Sequence, residues 1–188
     1  MAESSLSKEE ITGLARSVIN EVTLYNKIPQ VKGGCVICDE EHFRGEHLSS
    51  EILEKECGVF VSILKNGQLR GRAGALKKTE NSLAQDIIRW SVGSARQDPS
   101  FEELSKEELS EIKIKVVLTG KVQKIDSWKD VPLSNLLIVK KNWRQGISFP
   151  DEGFTNKKER LDKILEYSDI ALEEEPDFFT AEVQIFSE

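Results

Sequence analysis

The stretch Gln68-Leu69-Arg70-Gly71-Arg72-Ala73-Gly74-Ala75 sets two guanidinium groups beside two glycines three residues apart. Arginine offers a planar fork of N–H donors that matches a carboxylate or phosphate two bonds at a time. Glycine inside a strand marks a bulge or a place where another backbone or a ligand comes close. Lys65, Lys77 and Lys78 add positive charge nearby, on a chain whose formal net charge is −7. The chemistry this suits is holding an anion. The spacing is not a phosphate-loop fingerprint, because no helix N-terminus follows it. The competing reading is a bulged, twisted hairpin whose arginines meet solvent or the chain's acidic excess.

A second group is Cys35-x-x-Cys38 with His42 and His47, and later Cys57. Zinc takes thiolates and imidazoles in tetrahedral sets, so Cys35, Cys38, His42 and His47 are a candidate metal set. The spacing matches no familiar zinc module. A redox pair would need to open a helix beside a βαβ unit, and no such unit is evident. Two thiols in a surface loop with ordinary histidines are the third reading. No serine, histidine and aspartate arrangement can be assembled, since His42 and His47 are the only histidines. Glu102-Glu103, Glu107-Glu108 and Glu173-Glu174-Glu175 read as solvated faces, and the run 156–160 as a solvated helix start. Trp90, Trp128 and Trp143 read as packing residues. Trp143 stands near Lys140, Lys141 and Arg144, but stacking platforms for nucleic acid usually interleave several aromatics.

The elements that must position these residues are legible in outline. Ser7 with Glu10 forms a capping box, and Ile11, Leu14, Ala15, Val18, Ile19 and Val22 recur at helical spacing, predicting a helix over 8–25. The segment 31–49 has no clean period and reads as a loop or small hairpin. Ser49 or Ser50 starts a short helix to Lys55. Val59 to Leu64 is a strand by composition. Asn66-Gly67 then predicts a hairpin, because a type I′ turn needs positive φ at both central residues. A helix follows over 82–96, and Ser105 with Glu108 caps a short one. Ile112 to Leu118 alternates as a half-buried strand. Leu136–Lys140 and Gln145–Phe149 form a strand pair, Leu161, Ile164 and Leu165 mark a helix, and Phe179 to Ile185 alternates as a closing strand. Hairpin-linked strands mixed with helices, without βαβ repetition, predict an α+β fold with a mostly antiparallel sheet.

At 188 residues the chain fits one domain, since domains usually run to ~100–200 residues. Its 38% hydrophobic content is ordinary globular composition rather than disorder. A nucleic-acid coat protein would more often be basic. No apolar run approaches the ~20 residues of a membrane span, and the first residues are polar and acidic. These features lead to the expectation of a soluble, cytoplasmic protein without a disulfide framework and without a membrane or nucleic-acid partner.

Gly58-Val59-Phe60-Val61-Ser62-Ile63 followed by Asn66-Gly67-Gln68-Leu69-Arg70-Gly71 resembles the signature of the AMMECR family. The likeness continues through Ser82-Leu83, Asp86, Ala95, Asp98-Pro99, Phe101, Leu104, Glu107-Glu108-Leu109 and Ile112 to Leu118, then Arg144, Gly146 and Phe149-Pro150. Leu14-Ala15-Arg16 is similar to the family's opening helix. The resemblance implies a single α+β domain over 1–188 with a larger and a smaller lobe, and no settled reaction. It also implies a modification pathway shared with a Memo-type protein and a radical SAM enzyme, or a regulatory role in transcription or translation. Three positions depart from the family pattern. Arg72 stands where the motif has cysteine, Ser100 where it has arginine, and Asp151-Glu152 follow Phe149-Pro150 in place of Gln-Val. A guanidinium cannot replace a thiolate nucleophile, because it stays protonated.

The expectation is therefore a binding protein for a small anionic molecule or an anionic group on a partner. Its candidate residues are Arg70, Gly71, Arg72, Gly74, Asp98 and Arg144. A non-catalytic interaction protein is the alternative, and catalysis in the chain itself stands third.

Overall fold

The computed structural model describes residues 6–38 and 47–188, which divide into two compact units. One comprises Met1–Leu118 with Gln184–Glu188, and the other Thr119–Val183. Both are antiparallel sheets carrying helices, the α+β architecture expected. Among the described residues no helix is long and apolar enough to cross a membrane.

The first unit begins with α1 (Lys8–Tyr25), whose buried face is Ile11, Leu14, Ala15, Val18, Ile19 and Val22. Ser7 caps it by accepting from the Glu10 amide at 3.2 Å. The predicted capping box is only half present. The Glu10 carboxylate turns instead to Ser49, accepting from its amide at 2.7 Å and its hydroxyl at 2.8 Å. Ser49 in turn caps the short helix α2 (Ser50–Glu54). A non-local partner has outbid the local one. Between these helices β1 (Gln30–Lys32) and β2 (Cys35–Ile37) form a two-stranded hairpin.

The main sheet holds β3 (Gly58–Lys65), β4 (Gln68–Ala75), β5 (Ile112–Thr119) and β10 (Val183–Ser187) in the order β10-β5-β3-β4. Asn66 and Gly67 both have positive φ, at 54° and 78°, as a type I′ turn requires. Helix α3 (Leu83–Arg96), capped by Ser82, lies against β3 and β4. Val59, Val61 and Ile63 from β3 pack with Leu83, Ala84 and Ile87 from α3 and with the α1 stripe into one apolar core. β5 begins with a wet face at Lys113, but Val116 to Thr119 are buried on both faces. Val117, an apolar residue in the polar register, was the sign of this. Arg16 of α1 holds the Glu188 carboxylate and donates to the carbonyls of Leu109 (3.2 Å) and Ile112 (2.9 Å).

The second unit contains β6 (Gln123–Ile125), β7 (Leu136–Lys141), β8 (Arg144–Ser148) and β9 (Asp177–Ala181), ordered β6-β9-β7-β8. Helix α4 (Lys157–Ser168) packs Leu161 and Ile164 onto Leu137 and Val139. The charged run 156–160 is not wholly solvated. Arg160 is 1% exposed, and its Nε donates to Ser148 Oγ at 2.9 Å. One terminal nitrogen donates to the carbonyls of both Asn135 (2.6 Å) and Ser148 (2.7 Å). The alternating run 179–185 is not one strand either. It breaks at Glu182, with β9 in one sheet and β10 in the other. Period-two burial reads the same whichever sheet a segment joins.

Candidate functional site

The candidate cluster forms where β4 meets α3. The β3–β4 register pairs Ile63 with Gly71 and Leu64 with Leu69, leaving Arg70 as the extra residue of a bulge. A bulge re-aims the side chain it carries. Here Arg70 turns into its own protein. Nε and one terminal nitrogen each donate to Glu108 at 2.9 Å, a bidentate pair. The other terminal nitrogen donates to the Glu102 carbonyl at 2.9 Å, and the guanidinium carbon lies 5.8 Å from the centre of the Phe101 ring. Lys65 completes the network, with its Nζ 3.3 Å from Glu108 and 3.0 Å from Glu111. The hydrogen bonds from Arg70 hold the Glu108 carboxyl at about 2, well below its ordinary 4.5. Glu111 and Glu108 in turn raise the pKa of Lys65. Arg70 thus works as a clamp between β4 and the 101–108 segment.

The two glycines also face protein. A Cβ on Gly71 would lie 2.2 Å from the Ser94 carbonyl oxygen of α3. One on Gly74 would lie 2.3 Å from the Phe60 ring and 2.4 Å from the Val59 carbonyl oxygen. The close approach that strand glycines signal is made at Gly71 by a helix and at Gly74 by the neighbouring strand.

Arg72 sits directly opposite Ser62 of β3. Its Nε donates to Ser62 Oγ at 3.0 Å, and Ser62 is 1% exposed. Its backbone N–H, on the open edge of β4, donates to Asp98 Oδ2 at 2.7 Å. Asp98 Oδ1 accepts from the Ser100 amide at 2.9 Å. The carboxylate therefore plugs the sheet edge and shapes the turn after α3 at once. Position 72 is fixed at backbone and side chain together. Ser62 was missed in the sequence, although it is the single polar residue within Val59-Phe60-Val61-Ser62-Ile63-Leu64.

The structure brings Arg70, Gly71, Arg72, Gly74 and Asp98 together in the first unit. Arg144 belongs to the second, at the start of β8. There it donates to the Asp169 carbonyl and pairs with Glu174.

The cysteines meet different partners. Cys35 Sγ is 3.6 Å from His47 Nδ1 across an isolated β-bridge, while Cys38 Sγ donates to Glu21 Oε2 at 3.4 Å. Among the described residues no three His, Cys, Asp or Glu side chains gather as a metal set. His42, the fourth candidate ligand, lies outside the described residues. Burial pushes the Cys57 thiol up to about 11, which keeps it protonated and inert.

The AMMECR1 family model matches residues 14–186. A protein of Thermotoga maritima is 32% identical over 119 residues, covering 62% of this chain and 68% of its own length. One from Methanosarcina mazei is 29% identical over 119 residues, covering 60% of this chain and 59% of its own. A Clostridium acetobutylicum protein is 30% identical over 126 residues, 66% of this chain, but the match spans only 27% of that longer protein. The crystal structure of an uncharacterised protein from Pyrococcus horikoshii superposes with a TM-score of 0.77 at 20% identity, covering 96% of this chain and 91% of that one.

Proposed function

The chain belongs to the AMMECR1 family, and on that premise we propose that it binds an anionic group, on a small molecule or a partner, through the guanidinium of Arg72. The observation that carries this reading is the two-point anchoring of position 72. Asp98 fixes its backbone at 2.7 Å and buried Ser62 fixes Nε at 3.0 Å. A guanidinium held in one orientation has already lost the rotamer freedom that binding would otherwise take from it. Arg70, Gly71, Gly74 and Asp98 support the site from behind rather than touch the ligand. The role is binding and not attack, since arginine at a position where the family motif carries cysteine supplies charge and donors but no nucleophile.

The test uses Arg72→Gln, which keeps a donor at the Nε position for Ser62 and removes the charged fork. Inorganic phosphate, pyrophosphate and citrate are titrated by calorimetry into wild type and variant. Wild-type binding that falls at least tenfold in the variant supports the reading. Equal affinities in both proteins, or no heat from any probe with the wild type, overturns it.

A second reading, a non-catalytic interaction protein for a partner enzyme or the gene-expression machinery, draws on Trp143. This side chain is 87% exposed at the β7–β8 hairpin tip. Tryptophan is, with tyrosine and arginine, enriched among interface anchors.

A further inference from the structure

β1 is an open edge beside a cleft. Among the described residues it pairs with β2 alone, in a two-stranded sheet. Lys32 and Cys35 close the two-residue turn at Gly33-Gly34, so they are the hydrogen-bonded pair, and Val31↔Val36 is the next, non-bonded pair. The N–H and C=O of Val31 consequently point away from β2. Neither is taken by any other group among the described residues. The Val31 side chain packs into the core, so the strand is held while its outer polar edge is left over.

That edge lines a cleft of about 540 Å³, inside the ~300–1,000 Å³ range of ligand-binding clefts. Across it stands α3. Ile88 and Val92 supply an apolar wall and Gln85 an amide, while Ile28, 55% exposed, flanks the strand. Lys32 belongs to the lining, is exposed, and no carboxylate pairs with it among the described residues, while Glu80 of the same lining is taken by Arg89 at 2.6 Å. Proteins usually cover, bulge or charge their strand edges to stop such pairing. This protein does so at β4, with Asp98 on the Arg72 amide.

We propose that this cleft receives an extended, acidic-apolar peptide segment of a partner protein, which adds to β1 as a third strand. Val31 exchanges two main-chain hydrogen bonds with it. Alternate apolar side chains of the peptide lie against Ile28, Ile88 and Val92, and an acidic side chain faces Lys32. Main-chain bonds supply affinity and the alternate pockets supply selectivity, the usual division in strand addition.

The experiment pans a displayed library of random heptapeptides against the whole chain. Enriched peptides are then measured on wild type and on Ile28→Asp and Lys32→Glu, both exposed positions whose substitution leaves the core intact. The expected outcome is peptides that alternate apolar residues with at least one acid. They bind each variant at least tenfold more weakly and slow hydrogen exchange at the Val31 amide. Three results overturn the proposal. One is no enrichment. Another is peptides whose binding ignores both substitutions. The last is Val31 protection that grows with protein concentration without peptide, which would make a second copy of the chain the occupant.

Discussion

Along β4 the outward N–H of Arg72 meets the Asp98 carboxylate, and Arg70 bulges out to clamp Glu108. Along β1 the outward N–H and C=O of Val31 meet no protein group among the described residues. Both are edge strands of the same unit. The first carries both arginines and both glycines of the cluster and uses most of them to finish an edge and seat a helix. The second is a plain Gln-Val-Lys beside an apolar cleft. Charge and glycine in a sequence thus mark where a fold needs special fitting, and an unfitted edge attracts no notice until its hydrogen bonds are counted.

The largest effect that would test this contrast is Gly71→Ala. The new Cβ would meet a backbone oxygen at 2.2 Å, and neither β4 nor α3 can yield cheaply. We expect a loss of about 3 kcal/mol in urea unfolding, the upper end of overpacking costs. A loss under about 0.5 kcal/mol, the ordinary surface value, would mean that α3 is free to move off β4 and that the glycine is there for another reason.

Next comes Glu108→Gln, which should cost about 2 kcal/mol at pH 7, as hydrogen bonds to charged groups do. Its pH dependence is the sharper readout. The folded carboxyl sits at about 2 against an ordinary 4.5. Its stabilisation is complete above 4.5 and disappears as pH falls from there toward 2. The wild type should therefore lose stability faster than the variant across that window. Parallel pH profiles would remove the clamp assigned to Arg70.

The smallest effect is Asp98→Ala, expected to cost about 1 kcal/mol for the two backbone hydrogen bonds, from Arg72 and Ser100, lost at a partly exposed edge. It should also raise self-association on a sizing column, because the edge of β4 would then resemble that of β1. Unchanged elution would mean that the carboxylate shapes the turn at Ser100 and little else.

The parts of this fold readable in advance were those decided by neighbours in sequence. Asn66-Gly67 announced its hairpin because the turn needs positive φ at both residues. The α1 stripe announced its helix because burial repeats with the helical period. Two of the errors arose where a side chain found a distant partner. Glu10 left its own cap for Ser49, and Arg160 went inward to carbonyls far along the chain. At the candidate site, the glycines correctly signalled a close approach. Nothing local distinguishes a helix or a neighbouring strand from a ligand as the body approaching. Arg70 was legible as a donor in search of an acid, but its acid, Glu108, lies on another segment.

The strand β10 has a further consequence. It completes the first unit's sheet beside β5, yet it starts only at Val183, the last residue of the second unit. A ribosome delivers the second unit as one continuous piece, able to fold as it emerges. The first unit must wait, holding the flank of β5 unpaired until residues 183–187 appear. Translation stalled inside the insertion would leave the chain with a ready-made template for wrong pairing. The vulnerable interval is set by the order of the segments and not by the stability of either finished unit.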